Sequence, residues 1–283
     1  MDHGLEGIDH VIVGVNDLEA ARATYGRLGF TCTPRGRHVG WGTANYCVMF
    51  ERDYLELLGI VDPTQFTNGL DRLLESGEGM LGAVFGTRDP EATYEFWKAN
   101  GLEPAEPQAL GRLLEGDAPA DLKFRNVLLD RSKTAGLGFF ACQHLTPEPL
   151  RRPQWLQHPN GAVAIRSCTI VANEAAPVSA VLAQMLGTAA VSSTDKVHAA
   201  HARNGSILVA PPEDAGLLHP WARIPESVDA PRFAVLTIAV EDRQRTASCL
   251  DAEHVTFGRS VNGDIMVPPD QANGVAIEFV ADR

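Results

Sequence analysis

The chain is short of positive charge. Lysine and arginine number 24 against 36 aspartates and glutamates, a formal charge of −12 at pH 7. A nucleic-acid backbone or an anionic membrane repels such a surface, so neither is expected as a partner. Arg151-Arg152 is the densest basic cluster and is too small to change that. Cysteine is scarce as well. Cys32, Cys47, Cys142, Cys168 and Cys249 are odd in number and widely spaced, and no C-x-x-C occurs. That argues against a disulfide framework and fits a reducing compartment. Several of the five lie in apolar runs, where cysteine packs as a small hydrophobe. No run approaches the length of a membrane span. The first residues, Met1 to Glu6, lack the basic and apolar regions of a signal peptide, so a cytoplasmic location is expected. There is no G-x-S-x-G nucleophile elbow, and no glycine-rich turn sits in the strand–loop–helix setting of a phosphate loop.

What is present is repetition. The 283 residues suffice for one large or two ordinary domains, and 45% hydrophobic with 21% charged residues is a globular composition. Four segments share one plan: an apolar strand, a polar turn with an acid, and an amphipathic helix. They begin at Ile8, Ala83, Ile165 and Phe233, and their turn acids Asp17, Asp89, Glu174 and Asp242 fall 72, 85 and 68 residues apart.

The first unit reads in full. Residues 7–15 form a strand, Asn16 or Asp17 is the helix N-cap, and Ala20, Ala21, Tyr25 and Leu28 recur at helical spacing. Gly29 follows as the residue that ends the helix. Strands are expected at 31–34, 43–50 and 54–60, which makes the unit βαβββ. In the second unit, Asp89-Pro90 starts a helix with Tyr94, Trp97 and Leu102 on its buried side. Strands follow at 126–130 and 137–144, and the Gly/Pro/acid-rich stretch 103–119 reads as a long loop. Pro147, Pro149 and Pro153 mark a linker, the third unit runs from about 162 to 209, and a Pro-rich bridge at 211–231 leads to the fourth. Each unit has one sheet face to cover, so units pair face to face and enclose a cup. The expected fold is α+β: four βαβββ modules in two domains, residues 5–145 and 161–283, joined by a linker at 146–160.

Side-chain alternation nominates a site. Val11, Val13 and Val15 share the helix-packed face of the first strand; Ile8, His10 and Ile12 share the other. On the last strand of the unit, Tyr54, Glu56 and Leu58 share a face, so His10 and Glu56 both point into the cup. A charged carboxylate inside Tyr-Leu-Glu-Leu-Leu is costly to bury alone, and a metal or an arginine would offset the cost. Imidazole with carboxylate suits Zn, Fe, Mn, Co or Ni. The plainer alternative is a hydrogen-bonded core histidine and an arginine-paired glutamate. His38, Trp41 and Asn45 lie near the cup mouth as candidate substrate contacts, or as a glycine-rich turn with a packing tryptophan. His198 and His201 fall on a strand, on opposite faces, and form no site.

Residues Gly7-Ile8-Asp9-His10-Val11-Ile12-Val13, Asp17-Leu18-Glu19-Ala20-Ala21 and Leu28-Gly29-Phe30 resemble the vicinal oxygen chelate superfamily, and its glyoxalase-like domain proteins in particular. The segments 37–45, Tyr54-Leu55-Glu56-Leu57-Leu58, 139–144 and His158-Pro159-Asn160-Gly161 extend the likeness over residues 5–165; beyond that only the βαβββ pattern persists. The resemblance implies a divalent metal in the cup, with His10 and Glu56 as ligands and vicinal substrate oxygens held on the metal. It also implies further ligands from the paired unit. The positions matching His10 and Glu56 are about Gly82 and 139–142 in the second unit, Ser167 and Ile207 in the third, and Val235 and Glu278 in the fourth. If units 1 and 4 share a cup, Glu278 is the third ligand, and this is the favoured set; if units 1 and 2 pair, His144 takes that place. The function implied is a metal-dependent lyase or isomerase on a small oxygenated organic molecule, with Glu56 or Glu278 moving a proton. Ring-cleaving dioxygenase chemistry is the second option and needs another histidine at the site. The competing function is that of the family's metal-free relatives that sequester antibiotics; a scaffold for dimerisation is the third. Exposed strands at unit edges leave room for a homodimer.

Overall fold

The computed structural model describes residues 3 to 282. Met1 and Asp2, part of the stretch read for a leader, lie outside the described residues. The first half of the chain contains β1 (Leu5–Val15), α1 (Leu18–Arg27), β2 (Gly36–His38), β3 (Thr43–Met49), β4 (Tyr54–Ile60), α2 (Leu70–Leu74), β5 (Gly79–Thr87), α3 (Pro90–Ala99), β6 (Gln108–Leu114), β7 (Ala120–Leu128) and β8 (Gly138–His144). The second half contains β9 (Ala162–Val171), α4 (Ala175–Leu186), β10 (Val191–Thr194), β11 (Val197–His201), β12 (Ser206–Ala210), α5 (Pro212–Leu218), β13 (Arg232–Val240), α6 (Arg243–Ala252), β14 (Gly258–Arg259), β15 (Ile265–Val267) and β16 (Ala276–Ala281). These are four βαβββ modules, with α2 and α5 as connectors inside each half. No helix among the described residues is long and apolar enough to cross a membrane.

The module helices start where the sequence places them. Asp17 accepts the Ala20 N–H, Asp89 accepts the Ala92 N–H with Pro90 at the first helical position, and Asp242 accepts the Gln244 N–H. Glu174 departs from the pattern and makes no capping bond.

Pairing settles which modules share a cup. β1 lies between β4, parallel, and β5, antiparallel. The strand order β1-β4-β3-β2-β6-β7-β8-β5 closes a barrel from modules 1 and 2. Modules 3 and 4 form a separate open sheet, β10-β11-β12-β9-β13-β16-β15-β14. Modules 1 and 4 therefore do not share a cup.

Two sequence expectations are corrected. The stretch 103–119 is not one long loop: β6 occupies its middle, paired with β7 and with β2. Glycines and prolines around it disguise a strand whose hydrogen bonds go to distant partners. The first short strand of module 1 is β2, not 31–34. Its register on β3 pairs Gly36 with Asn45, while Pro34 just before it has no N–H to offer a ladder.

The halves pack back to back through their helix-covered faces, with one apolar core running through both. Val11, Val13 and Val15 are fully buried on that side of β1. The Trp97 indole donates to the Met185 carbonyl at 3.0 Å, joining α3 to α4, and the Phe139 and Phe233 rings meet edge to face at 5.6 Å. Asn204, in the β11–β12 turn, reaches β1: its Oδ1 accepts the Ile8 N–H at 2.7 Å and its Nδ2 donates to the Ile8 carbonyl at 2.8 Å. Glycine at position 7 permits this approach. Its φ is +122°, and a Cβ there would stand 2.2 Å from Asn204 Oδ1.

Candidate functional site

The barrel encloses a cavity of about 570 Å³, within the range of small-molecule sites. Alternation along the strands selects what faces it. His10 and Ile12 come from β1, Tyr54, Glu56 and Leu58 from β4, Thr43 from β3, His38 from β2 and Arg112 from β6. Ile8 does not share the face of His10 and Ile12. A register irregularity between Ile8 and His10 on the β5 side puts Ile8 in the core between the halves and brings Asp9 against His10.

His10, His38 and Glu56 are brought together, and all three are buried. His10 Nε2 lies 3.5 Å from Glu56 Oε2, and His38 Nε2 lies 4.0 Å from Glu56 Oε1. The other ring nitrogen of each histidine is held from behind. His10 Nδ1 is 2.6 Å from Asp9 Oδ2, and His38 Nδ1 is 2.9 Å from Thr43 Oγ1. With Nδ1 so occupied, each Nε2 is turned toward the carboxylate. The His10 ring stacks on Tyr54 with centroids 4.4 Å apart.

The electrostatics keep Glu56 ionised. Burial alone would raise its carboxyl, but His10, His38, Arg112 and a hydrogen bond from the Asn45 amide bring it below the ordinary carboxylate value. Arg112 Nη1 is 3.9 Å from Glu56 Oε1 and 3.5 Å from Cys47 Sγ. Oε1 is thus occupied by Asn45 and faced by Arg112, which leaves Oε2 toward His10. Burial pushes His38 down to about 4, against the pull of Glu56, so its imidazole is neutral at pH 7.

Each remaining residue singled out in the sequence has a definite place. Asn45 supports Glu56, and Trp41 lines the cavity beside His38, edge-on to Phe66 at 5.2 Å. Glu278 is a correction. It lies on β16 in the other sheet, where its Oε2 meets His219 Nδ1 at 3.1 Å and the Thr237 hydroxyl at 3.3 Å. His219 follows α5 and also reaches the Thr169 hydroxyl at 2.9 Å, so these groups satisfy one another away from His10 and Glu56. His144, from β8, does not line the cavity; its Nε2 meets Asp9 Oδ2 at 3.0 Å.

Asp9, Cys142 and His144 place one donor atom each within 4.8 Å of one another. The Asp9 oxygen already serves two imidazoles, and burial lifts the Cys142 thiol well above its usual range. Of the three, Asp9 holds His10 from behind and His144 in turn holds Asp9. The second module contributes no ligand at the position matching His10. Gly82 and Gly138 form bare wall there, and a Cβ on Gly82 would stand 2.8 Å from the Gly138 carbonyl oxygen.

Sequence reasoning missed Arg112, Asp9 and Thr43. Arg112 had a signal, because Leu110, Arg112 and Leu114 alternate toward one face of a strand. Asp9 had none, because its orientation follows from the irregularity in β1.

The donor set fits a divalent metal in kind: two imidazoles each face one oxygen of a carboxylate, and each of the three groups has an outer partner fixing it. Comparison with known proteins agrees on the scaffold. A family model described as a glyoxalase-like domain matches residues 8–186, more than half of the chain. No curated protein matches. Among solved structures, a hypothetical protein from Staphylococcus aureus aligns with a TM-score of 0.69 over 98% of this chain and 100% of that one, at 12% identity. A 4-hydroxymandelate synthase variant from Streptomyces coelicolor aligns with a TM-score of 0.64 over 98% and 92%, also at 12% identity. A xylose isomerase-like TIM barrel/4-hydroxyphenylpyruvate dioxygenase fusion protein aligns at 0.58 and 12% identity; the match covers 97% of this chain and 48% of that one. At such identities these structures establish the fold alone. Barrel, paired modules and family match lead to one conclusion: the chain belongs to the glyoxalase-like domain family of the vicinal oxygen chelate superfamily.

Proposed function

We propose that this protein is a metal-dependent enzyme acting on a small oxygenated organic molecule inside the barrel of modules 1 and 2. The observation that carries the reading is that two buried imidazoles face one buried carboxylate, His10 Nε2 at 3.5 Å from Glu56 Oε2 and His38 Nε2 at 4.0 Å from Glu56 Oε1, with Asp9 and Thr43 holding the far sides of the two rings. His10, Glu56 and His38 would hold the metal, and His38 replaces both Glu278 and His144 as the third ligand. A divalent ion bound there supplies Lewis acidity toward a substrate oxygen. The rest of the chemistry belongs to the chain. Asn45 and Arg112 steady the carboxylate of Glu56, which can take a proton at Oε2. The apolar walls exclude water, and Trp41 narrows the mouth. Two histidines and a carboxylate also suit oxygen-dependent chemistry, so lyase or isomerase and dioxygenase stay the two reaction classes of this proposal. A cytoplasmic location and a homodimer through the open edges of β10 and β14 are part of it.

One observation favours a second reading, a metal-free binding protein. Arg112 stands 3.9 Å from Glu56 and offsets the buried charge without an ion. Metal analysis of protein purified without chelator separates the two. Near-stoichiometric metal that is lost in folded His10→Ala, His38→Ala and Glu56→Gln supports the enzyme. Metal-free wild type that takes up no divalent ion on dialysis supports the binding protein.

A further inference from the structure

We propose that the cavity ligand is an organic carboxylate with an apolar body, and that Arg112 receives its carboxylate. The proposal rests on the reading of this cavity as the substrate site and names the class of molecule that fills it. Arg112 is 3% exposed and lines the cavity. Its Nη1 is engaged by Cys47 Sγ and faces Glu56, while Nε and Nη2 have no partner among the described residues. These are the two nitrogens whose N–H bonds run parallel along one edge of a guanidinium, the fork that matches the two oxygens of a carboxylate. A buried guanidinium with that edge bare is expensive unless a ligand completes it.

The charge balance of the cavity agrees. In a chain of formal charge −12, the cavity is lined by Arg72, Arg112 and Arg131 against Glu56 and Asp130. Glu56 already has Asn45 and the two imidazoles. Arg131 spends its Nη atoms on the carbonyls of Leu81 and Gly136 rather than on a carboxylate. Asp130 caps the turn at Ser132. Three arginines thus line the cavity against two carboxylates, and Arg112, which faces Glu56 only through Nη1, keeps Nε and Nη2 as donors without an acceptor. Leu58, Leu70, Leu73, Leu81, Leu110 and Phe140 line the remainder. A carboxylate on Arg112 places the neighbouring carbons beside His10, His38 and Glu56 and the hydrocarbon body against these leucines.

The test is isothermal titration calorimetry of octanoate and 4-phenylbutyrate against their primary amides, on metal-loaded and chelator-treated protein, with metal content measured on each sample. The acids are expected to bind at least about tenfold more tightly than the amides. That preference should vanish in Arg112→Met and survive in part in Arg112→Lys. If Arg112→Met does not fold, the double variant Glu56→Gln/Arg112→Met removes both buried charges together and is read in its place. Equal binding of acid and amide, absence of binding by either acid, or a preference that outlives the loss of Arg112 overturns the proposal. Failure of the metal reading is seen separately. Acid preference in a protein that holds no metal keeps the Arg112 assignment and removes the metal.

Discussion

Nδ1 of His10 lies 2.6 Å from Oδ2 of Asp9, its neighbour in sequence. Adjacent residues on a regular strand point to opposite faces; these two meet because of the irregularity in β1. Burial would raise the Asp9 carboxyl, but His144 and His10 hold it well below the usual range, so it is a fixed anion behind the His10 ring. Asp9→Asn should lower metal affinity about 10–100-fold, the usual effect of removing an outer partner of a ligating histidine. Competition against a chromogenic chelator measures it, with circular dichroism as the check on folding. An unchanged affinity would mean that Asp9 does not orient His10.

Glu278→Gln should leave metal content unchanged. The residue bonds to His219 and Thr237 in the open sheet, and the amide keeps the acceptor that both contacts use. Loss of metal in this variant alone would reinstate the pairing of modules 1 and 4.

Asp53 gives the protein a pH-dependent stability. Burial raises its carboxyl to about 7, against the hydrogen bonds from the Ile165 N–H and from Asn204. In the unfolded chain the group titrates near about 3.9, so between the two values the folded chain holds a proton that the unfolded chain has lost. The stabilisation is full below the unfolded value and is lost as pH rises through the folded one. The urea midpoint should fall between about pH 4 and about pH 7, and Asp53→Asn should flatten that fall. A wild-type midpoint that rises over the range contradicts this account.

Trp97→Phe removes the N–H that reaches the Met185 carbonyl across the two halves. The cost should be about 1–3 kcal/mol, the penalty of a buried acceptor left without its donor. Urea titration followed by both far-ultraviolet circular dichroism and tryptophan fluorescence reads it. A change below about 0.5 kcal/mol, the usual scale of a neutral surface substitution, would place the bond outside the stabilising core.

What was legible in the sequence is what local pattern encodes. The alternation around His10 and Glu56 put both on the cup side of β1 and β4, and Asp17 and Asp89 announced their helices. What was not legible depends on partners far away in the chain. Arg112 was lost to a loop because β6 is held by β2 and β7, and the glycines and prolines around it mask the Leu110-Arg112-Leu114 rhythm. His38 was read as part of the cup mouth, when its register on β6, opposite Arg112, sets it facing Glu56. Glu278 copies the local pattern of Glu56, yet strand pairing, which no local pattern records, sends it to another sheet.

The clasp between Asn204 and Ile8 gives the second half a task although it holds none of the proposed ligands. Ile8 is gripped there by an amide side chain from the other sheet, two positions before His10. Through this clasp the open sheet holds β1 at the register irregularity that precedes His10. Cutting the chain in the linker at 146–160 would leave the barrel its proposed ligands and remove the clasp that fixes their spacing.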